Sequence, residues 1–119
     1  DFPPVRCFPK PARKPHPPVL LGGLAKRVLE RVADYGDGWM PNIVSYDEVR
    51  AARAKLDQLA TERGRDPKSI EITAYSQPPN PEVIAKHAEV GAGRCVVRLS
   101  GNSTEEALAN MGDIAKQVL

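Results

Sequence analysis

Two glycine-bearing strand endings, one helix apart, constrain this chain more than any other feature. Residues 17–23 read PPVLLGG and residues 35–41 read YGDGWMP. Val19, Leu20 and Leu21 form a short apolar strand. Gly22 and Gly23 then leave bare backbone N–H groups just ahead of a helix expected to begin near Leu24. In a parallel α/β protein, ligands gather at the carboxyl ends of the strands, so these two loops mark the functional face. Backbone N–H groups at a helix start suit a phosphate. The same two glycines also suffice merely to turn the chain from strand to helix, and the residues alone leave both readings open.

Beyond this pair the chain alternates strand and helix four times, the pattern of parallel βα units. A first helix is predicted over residues 24–35, with Leu24, Ala25, Val28, Leu29, Val32 and Ala33 at helical spacing and Gly36 as its stop. Residues 38–41 make a very short second strand. Ser45 and Glu48 then form a capping box for a helix whose apolar stripe is Val49, Ala52, Leu56, Leu59 and Ala60, ended by Gly64. A third strand is expected over residues 70–75. Asn80 caps the next helix, with Pro81 at its first position and Gly91 beyond its end. Residues 94–99 read as the fourth strand. Ser103 with Glu106 opens the last helix, whose apolar face is Ala107, Leu108, Met111, Ile114, Ala115 and Val118.

Four such units allow a small doubly wound sheet or half of a (β/α)8 TIM barrel. A whole barrel takes ~250 residues, and this chain has 119. Gly22-Gly23 lacks a full Gly-x-Gly-x-x-Gly, and no acidic residue follows the second strand as a ribose contact requires, so the half-barrel is preferred. An isolated arc of barrel exposes both edge strands and its inner face, which predicts self-association or a covering chain. Seven of the 12 prolines precede Val19. Residues 1–18 are therefore expected to be an extended Pro-rich lead-in without its own core, and residues 19–119 the (βα)4 half-barrel domain. Residue 1 is Asp and the chain opens in mid-flow, which suggests that it begins inside a longer product.

Charge excludes little but points away from polyanions. Seventeen basic and 15 acidic residues are spread along the chain, and the only basic cluster, Lys10, Arg13 and Lys14, is interleaved with prolines rather than aromatics. Neither a nucleic-acid nor a membrane partner is expected. Cys7 and Cys95 lack a second ligand at metal spacing, so no metal site is assigned, and Cys95 in its apolar run reads as a small buried hydrophobe. A reducing, cytoplasmic location fits, with no apolar run of the ~18 residues a span needs.

The runs KPHPPVLLGG at residues 14–23 and RVADYGDGWMP at residues 31–41 together resemble the luciferase-like monooxygenases, a family of (β/α)8 flavin or deazaflavin oxidoreductases. The spacing is that of the family's carboxyl-terminal half. The resemblance implies that Leu21, Gly22 and Gly23, with Trp39, Met40, Pro41 and Asn42, hold the phosphate end of FMN or a deazaflavin. Some members place a Lys in the second loop where this chain has Pro41 and Asn42, so one charge-assisted contact is lacking here. The units that build much of the ring and substrate pocket are absent, so the chain alone should be catalytically weak or silent. Whether it holds a cofactor by itself stays open.

Other strand ends supply lesser candidates. Tyr75 and Ser76 close the third strand, and Arg98 and Ser100 the fourth. Arg98, read as a guanidinium within an apolar strand, needs an anionic or carbonyl partner; a structural salt bridge is the commoner answer, and as a ligand contact Arg98 is also added to the cofactor-binding set. Trp39 suits either a ring stack or the core. His16 and His87 have no nucleophile or second base at recognisable spacing, Asp37 reads as a turn former, and no catalytic residue is assigned. The leading expectation is the carboxyl-terminal half of a luciferase-like oxidoreductase, partnered by the missing amino-terminal half or a second copy. The alternative is a non-catalytic half-barrel that oligomerises as a structural or interaction module.

Overall fold

The computed structural model describes residues 1, 3–6 and 8–118, so Cys7 lies outside the described residues. Strand β1 (Leu20–Gly22) leads through a five-residue loop to helix α1 (Val28–Tyr35), followed by β2 (Gly38–Met40) and α2 (Tyr46–Glu62). A single 3₁₀ turn (Pro67–Ser69) precedes β3 (Glu71–Gln77), and α3 (Pro81–Glu89), β4 (Arg94–Val97) and α4 (Thr104–Val118) complete the order. The described residues before Leu20 form neither helix nor strand and are exposed.

All four strands are parallel and lie in the order β1-β2-β3-β4. A doubly wound sheet reverses its strand order at a switch point. No reversal occurs here, which rejects that alternative and leaves a singly wound α/β sheet. Because βα crossovers are right-handed, a singly wound sheet carries its helices on one face.

Strand register identifies that face. Leu21 is aligned with Trp39, Trp39 with Ile72, and Ala74 with Cys95. These side chains pack with Val28 and Val32 of α1, with Val49, Ala52 and Leu56 of α2, and with Val90 and Ala92 after α3. Cys95 is thus a half-buried hydrophobe, and burial pushes its thiol pKa up, away from the reactive thiolate. On the opposite face Thr73 Oγ1 donates to Glu71 Oε1 at 3.0 Å, and Arg94 pairs with Glu71 at 3.4 Å.

Helix boundaries follow their caps. Ser45 and Glu48 form the expected box, and the Ser45 backbone and hydroxyl donors hold the Glu48 carboxyl below its usual range. Asn80 accepts from the N–H groups of Glu82 and Val83. Ser103 accepts from Glu106 N–H, but Glu106 returns to the N–H of Asn102, one residue further out than a box requires. Helix α1 starts at Val28 rather than near Leu24, because nothing in the stretch from Leu24 to Arg27 caps it: Arg27 supplies no side-chain acceptor. Its other end is held by Arg65, whose guanidinium donates to the carbonyls of Val32, Ala33 and Gly36 at 3.1, 2.9 and 2.8 Å.

The molecule is wider than its length requires. Its radius of gyration is 17.2 Å, against about 13.5 Å for a close-packed chain of this size. Part of the reason is α4, whose expected apolar face is only partly used. Ile114 is buried, while Leu108 and Met111 are 58% and 48% exposed.

Candidate functional site

Parallel strands bring the two glycine-bearing endings to the same rim. Gly22 is aligned with Met40 on the neighbouring strand, and Asn42 bridges to Tyr75 of the next. The carboxyl ends of β1, β2 and β3 therefore form a continuous edge.

Gly23 is the pivot of this edge. Its φ of +87° lies in the left-handed region that glycine adopts without strain, and a Cβ there would meet nothing within 4 Å, so the loop backbone is open to a ligand. Its carbonyl accepts a hydrogen bond from Trp39 Nε1 at 3.0 Å. In a trans peptide the C=O and the following N–H point in opposite directions. Anchoring the Gly23 carbonyl to the indole thus turns the Leu24 N–H away from it. This donor belongs to a loop and not to a helix N-terminus, since α1 begins four residues later.

The eight residues expected to bind a cofactor separate into two groups. Gly22, Gly23, Asn42 and Arg98 are exposed and Met40 is half-buried, all available at the strand ends. Leu21, Trp39 and Pro41 are turned inward: Leu21 and Trp39 face the helices, and Pro41 is fully buried. The Trp39 ring is taken up by the core and is not offered for stacking. Its indole N–H acts on the rim instead.

Arg98 corrects the expectation in another way. Strand β4 ends at Val97, so Arg98 is an exposed loop residue, and its backbone N–H donates to the Gln77 carbonyl at 3.1 Å. The ion pair of this strand is made by Arg94. Tyr75 and Ser76 do not close β3, which runs on to Gln77. Asp37 does more than form a turn. Its Oδ2 accepts from Val19 N–H at 2.7 Å and its backbone N–H donates to the Val19 carbonyl at 2.8 Å, so it fastens the start of β1. His16 is exposed, with Nδ1 2.9 Å from the Pro17 carbonyl.

His87 is the residue the sequence reading undervalued. It is 2% exposed, and its Nε2 lies 2.9 Å from Gln77 Oε1, while Gln77 Nε2 donates to the Tyr75 carbonyl at 2.9 Å. That amide orientation makes His87 the donor through Nε2–H, which leaves Nδ1 as a buried acceptor with no partner among the described residues. Only the i+3/i+4 position of His87 relative to Val83, Ile84 and Val90 signalled its inward face. Desolvation lowers its pKa below the usual histidine range. A histidine buried neutral must charge to follow the unfolded chain, so its contribution is complete above the unfolded value of about 6.5 and is lost as pH falls below it. Thermal melts should therefore drop between pH 7.5 and pH 5, and His87→Gln, which keeps an amide donor for Gln77, should flatten that dependence.

Among the described residues no three His, Cys, Asp or Glu side chains are placed to hold a metal, and no helix is long and apolar enough to cross a membrane.

Fold and rim together define a singly wound βα protein with a glycine-lined strand edge. The profile of the luciferase-like monooxygenase family matches residues 1–79, and the chain belongs to that family. Two curated relatives, the uncharacterized protein Rv0953c of Mycobacterium tuberculosis (strain ATCC 25618 / H37Rv) and the uncharacterized protein Mb0978c of Mycobacterium bovis, are each 29% identical over 120 residues. Each alignment covers 98% of this chain, which spans 41% of the relative's length. Among solved structures, DmoA from Hyphomicrobium sulfonivorans aligns with 70% of this chain and 19% of its own, at 21% identity and a TM-score of 0.44.

Proposed function

We propose that this chain is the carboxyl-terminal half of a luciferase-like, flavin- or deazaflavin-dependent oxidoreductase, with residues 19–119 forming four of eight βα units and residues 1–18 the connection into them. The single observation that carries this reading is the pair of rim loops on adjacent, register-aligned strands of a singly wound sheet. Family membership and the chain's share of its relatives' length support it. The edges of the sheet, β1 and β4, and the uncovered side of α4 are where the remaining βα units would pack. A second copy of this chain is the alternative cover.

The residues present fit the phosphate end of such a cofactor. Gly23 offers open backbone, the Leu24 N–H is oriented by the Trp39 anchor, and Gly22, Met40 and Asn42 border the same edge. Leu21, Trp39 and Pro41 serve by packing beneath it. When bound, the isoalloxazine or deazaflavin ring supplies hydride transfer or oxygen activation; this chain's task is to hold the anionic tail in register with that ring. No side chain of the rim is a charged phosphate ligand, so affinity rests on backbone donors and on the other half.

FMN and a deazaflavin, titrated into the full-length protein and followed by fluorescence, should bind with inorganic phosphate as a competitor. Trp39→Phe keeps most of the buried ring and removes one hydrogen bond worth about 1 kcal/mol, so it should weaken cofactor binding roughly fivefold. Failure of both cofactors to bind the full-length protein would reject the reading.

A further inference from the structure

The end of β3 carries a feature that the phosphate rim does not use. Ala74 is aligned with Cys95 and Gln77 with Val97, so three steps along β3 match two along β4. The extra residue makes a bulge at Tyr75 and Ser76, and Ser76 adopts φ +60°. Bulges and left-handed non-glycine residues cost energy, and they gather where a side chain must be re-aimed.

Gln77 holds this bulge in place from both sides. Its side-chain amide donates to the Tyr75 carbonyl at 2.9 Å, its side-chain oxygen is gripped by buried His87, and its backbone carbonyl accepts from Arg98 N–H at 3.1 Å. One buried residue thus fixes Tyr75 and Arg98 relative to each other. Between them lies a cleft of ≈ 240 Å³ lined by Tyr75, Ser76, Val96, Val97, Arg98 and Leu99. Its walls are a phenol ring and three aliphatic side chains, with a serine hydroxyl and one guanidinium. No carboxylate lines it, and the Arg98 side chain makes no ion pair among the described residues.

Distance separates this cleft from the phosphate rim. Arg98 follows β4 and Gly23 follows β1, three strand spacings away in the sheet; at about 4.8 Å each, that is roughly 14 Å. A phosphate at Gly23 does not also reach Arg98. We propose that the Tyr75–Leu99 cleft is a separate subsite for a small molecule bearing one carboxylate on a short apolar body, with Arg98 binding the carboxylate and Gln77 positioning the walls. An arginine fork matches a carboxylate in bidentate geometry, and the cleft volume, on the order of eight water volumes, admits a ligand of that size.

The subsite stands on β3–β4 geometry alone, so it is tested without any cofactor and fails independently of the phosphate reading. Amide chemical shifts of the chain are followed while hexanoate, hexanol and inorganic phosphate are added in turn. Hexanoate should saturably shift Tyr75, Ser76 and Val96 to Leu99, at least tenfold more tightly than hexanol. Arg98→Gln, at an exposed loop position, should erase that preference, and Arg98→Lys should restore part of it. Equal binding of hexanoate and hexanol, shifts confined to other parts of the chain, or no saturable shift with any probe would overturn the subsite. Displacement of hexanoate by equimolar phosphate would overturn the carboxylate assignment in favour of a general oxyanion site.

Discussion

Gly38→Ala should lower the stability of this chain by about 3 kcal/mol, a fall of roughly 10 °C or more in Tm. A Cβ on Gly38 would lie 2.6 Å from the Glu71 carbonyl oxygen and 2.7 Å from Leu20 Cδ2. The leucine tip can rotate away. The carbonyl cannot, because Glu71 is aligned with Gly38 in the β2–β3 ladder and its own N–H donates to the Asp37 carbonyl at 3.0 Å. Relief would require β2 to move off β3, and β2 carries the second rim loop. Gly22→Ala is the matched control: its Cβ would sit 3.5 Å from the Met40 carbonyl, an ordinary contact, so its effect should stay within about 0.5 kcal/mol. Urea or thermal unfolding of the two variants decides the matter, and equal midpoints would contradict the close packing at Gly38.

Arg65→Met is expected to be the next most damaging change, at about 2–3 kcal/mol by the same unfolding measurement. The substitution keeps an apolar stem but removes the donors to Val32, Ala33 and Gly36. Those carbonyls sit at the negative end of the α1 dipole, where no Lys, Arg or His of the helix itself is present in the last turn. Val32, Ala33 and Gly36 are all buried, so water replaces the guanidinium poorly. Arg63→Met is a useful comparison. Arg63 ion-pairs with exposed Asp34 on the surface of the same helix, and loss of an exposed pair costs only about 0.5 kcal/mol.

Much of this fold was legible because local rules and tertiary packing agree. The Ser45–Glu48 box, the Asn80–Pro81 start and the left-handed Gly64 and Gly91 are set by backbone donors and by φ, which single residues control. The start of α1 was not legible: the apolar spacing of Leu24 and Ala25 continues the helical period, yet the uncapped segment instead follows the Gly23 turn fixed by Trp39. Long-range clamps were equally hidden. Arg65 and Asp37 act across more than ten residues, and nothing in their neighbours shows which carbonyl or N–H they meet. At the candidate site the sequence located the glycine rim. Which way Leu21 and Trp39 face was not legible, and Trp39 stayed open between a ring stack and the core, because strand alternation cannot be phased in a three-residue strand. Arg98 was placed inside β4, whereas the pairing ends at Val97 opposite Gln77, the last residue of β3 before Pro78 and Pro79, and only the partner strand reveals that limit.

The indole bond to the Gly23 carbonyl has a practical consequence. Trp39 is the sole tryptophan of the chain, so its intrinsic emission is a built-in spectroscopic gauge of this one turn. Polarity changes at that nitrogen report on the loop without any label, and on the hydrophobic interior in the same trace.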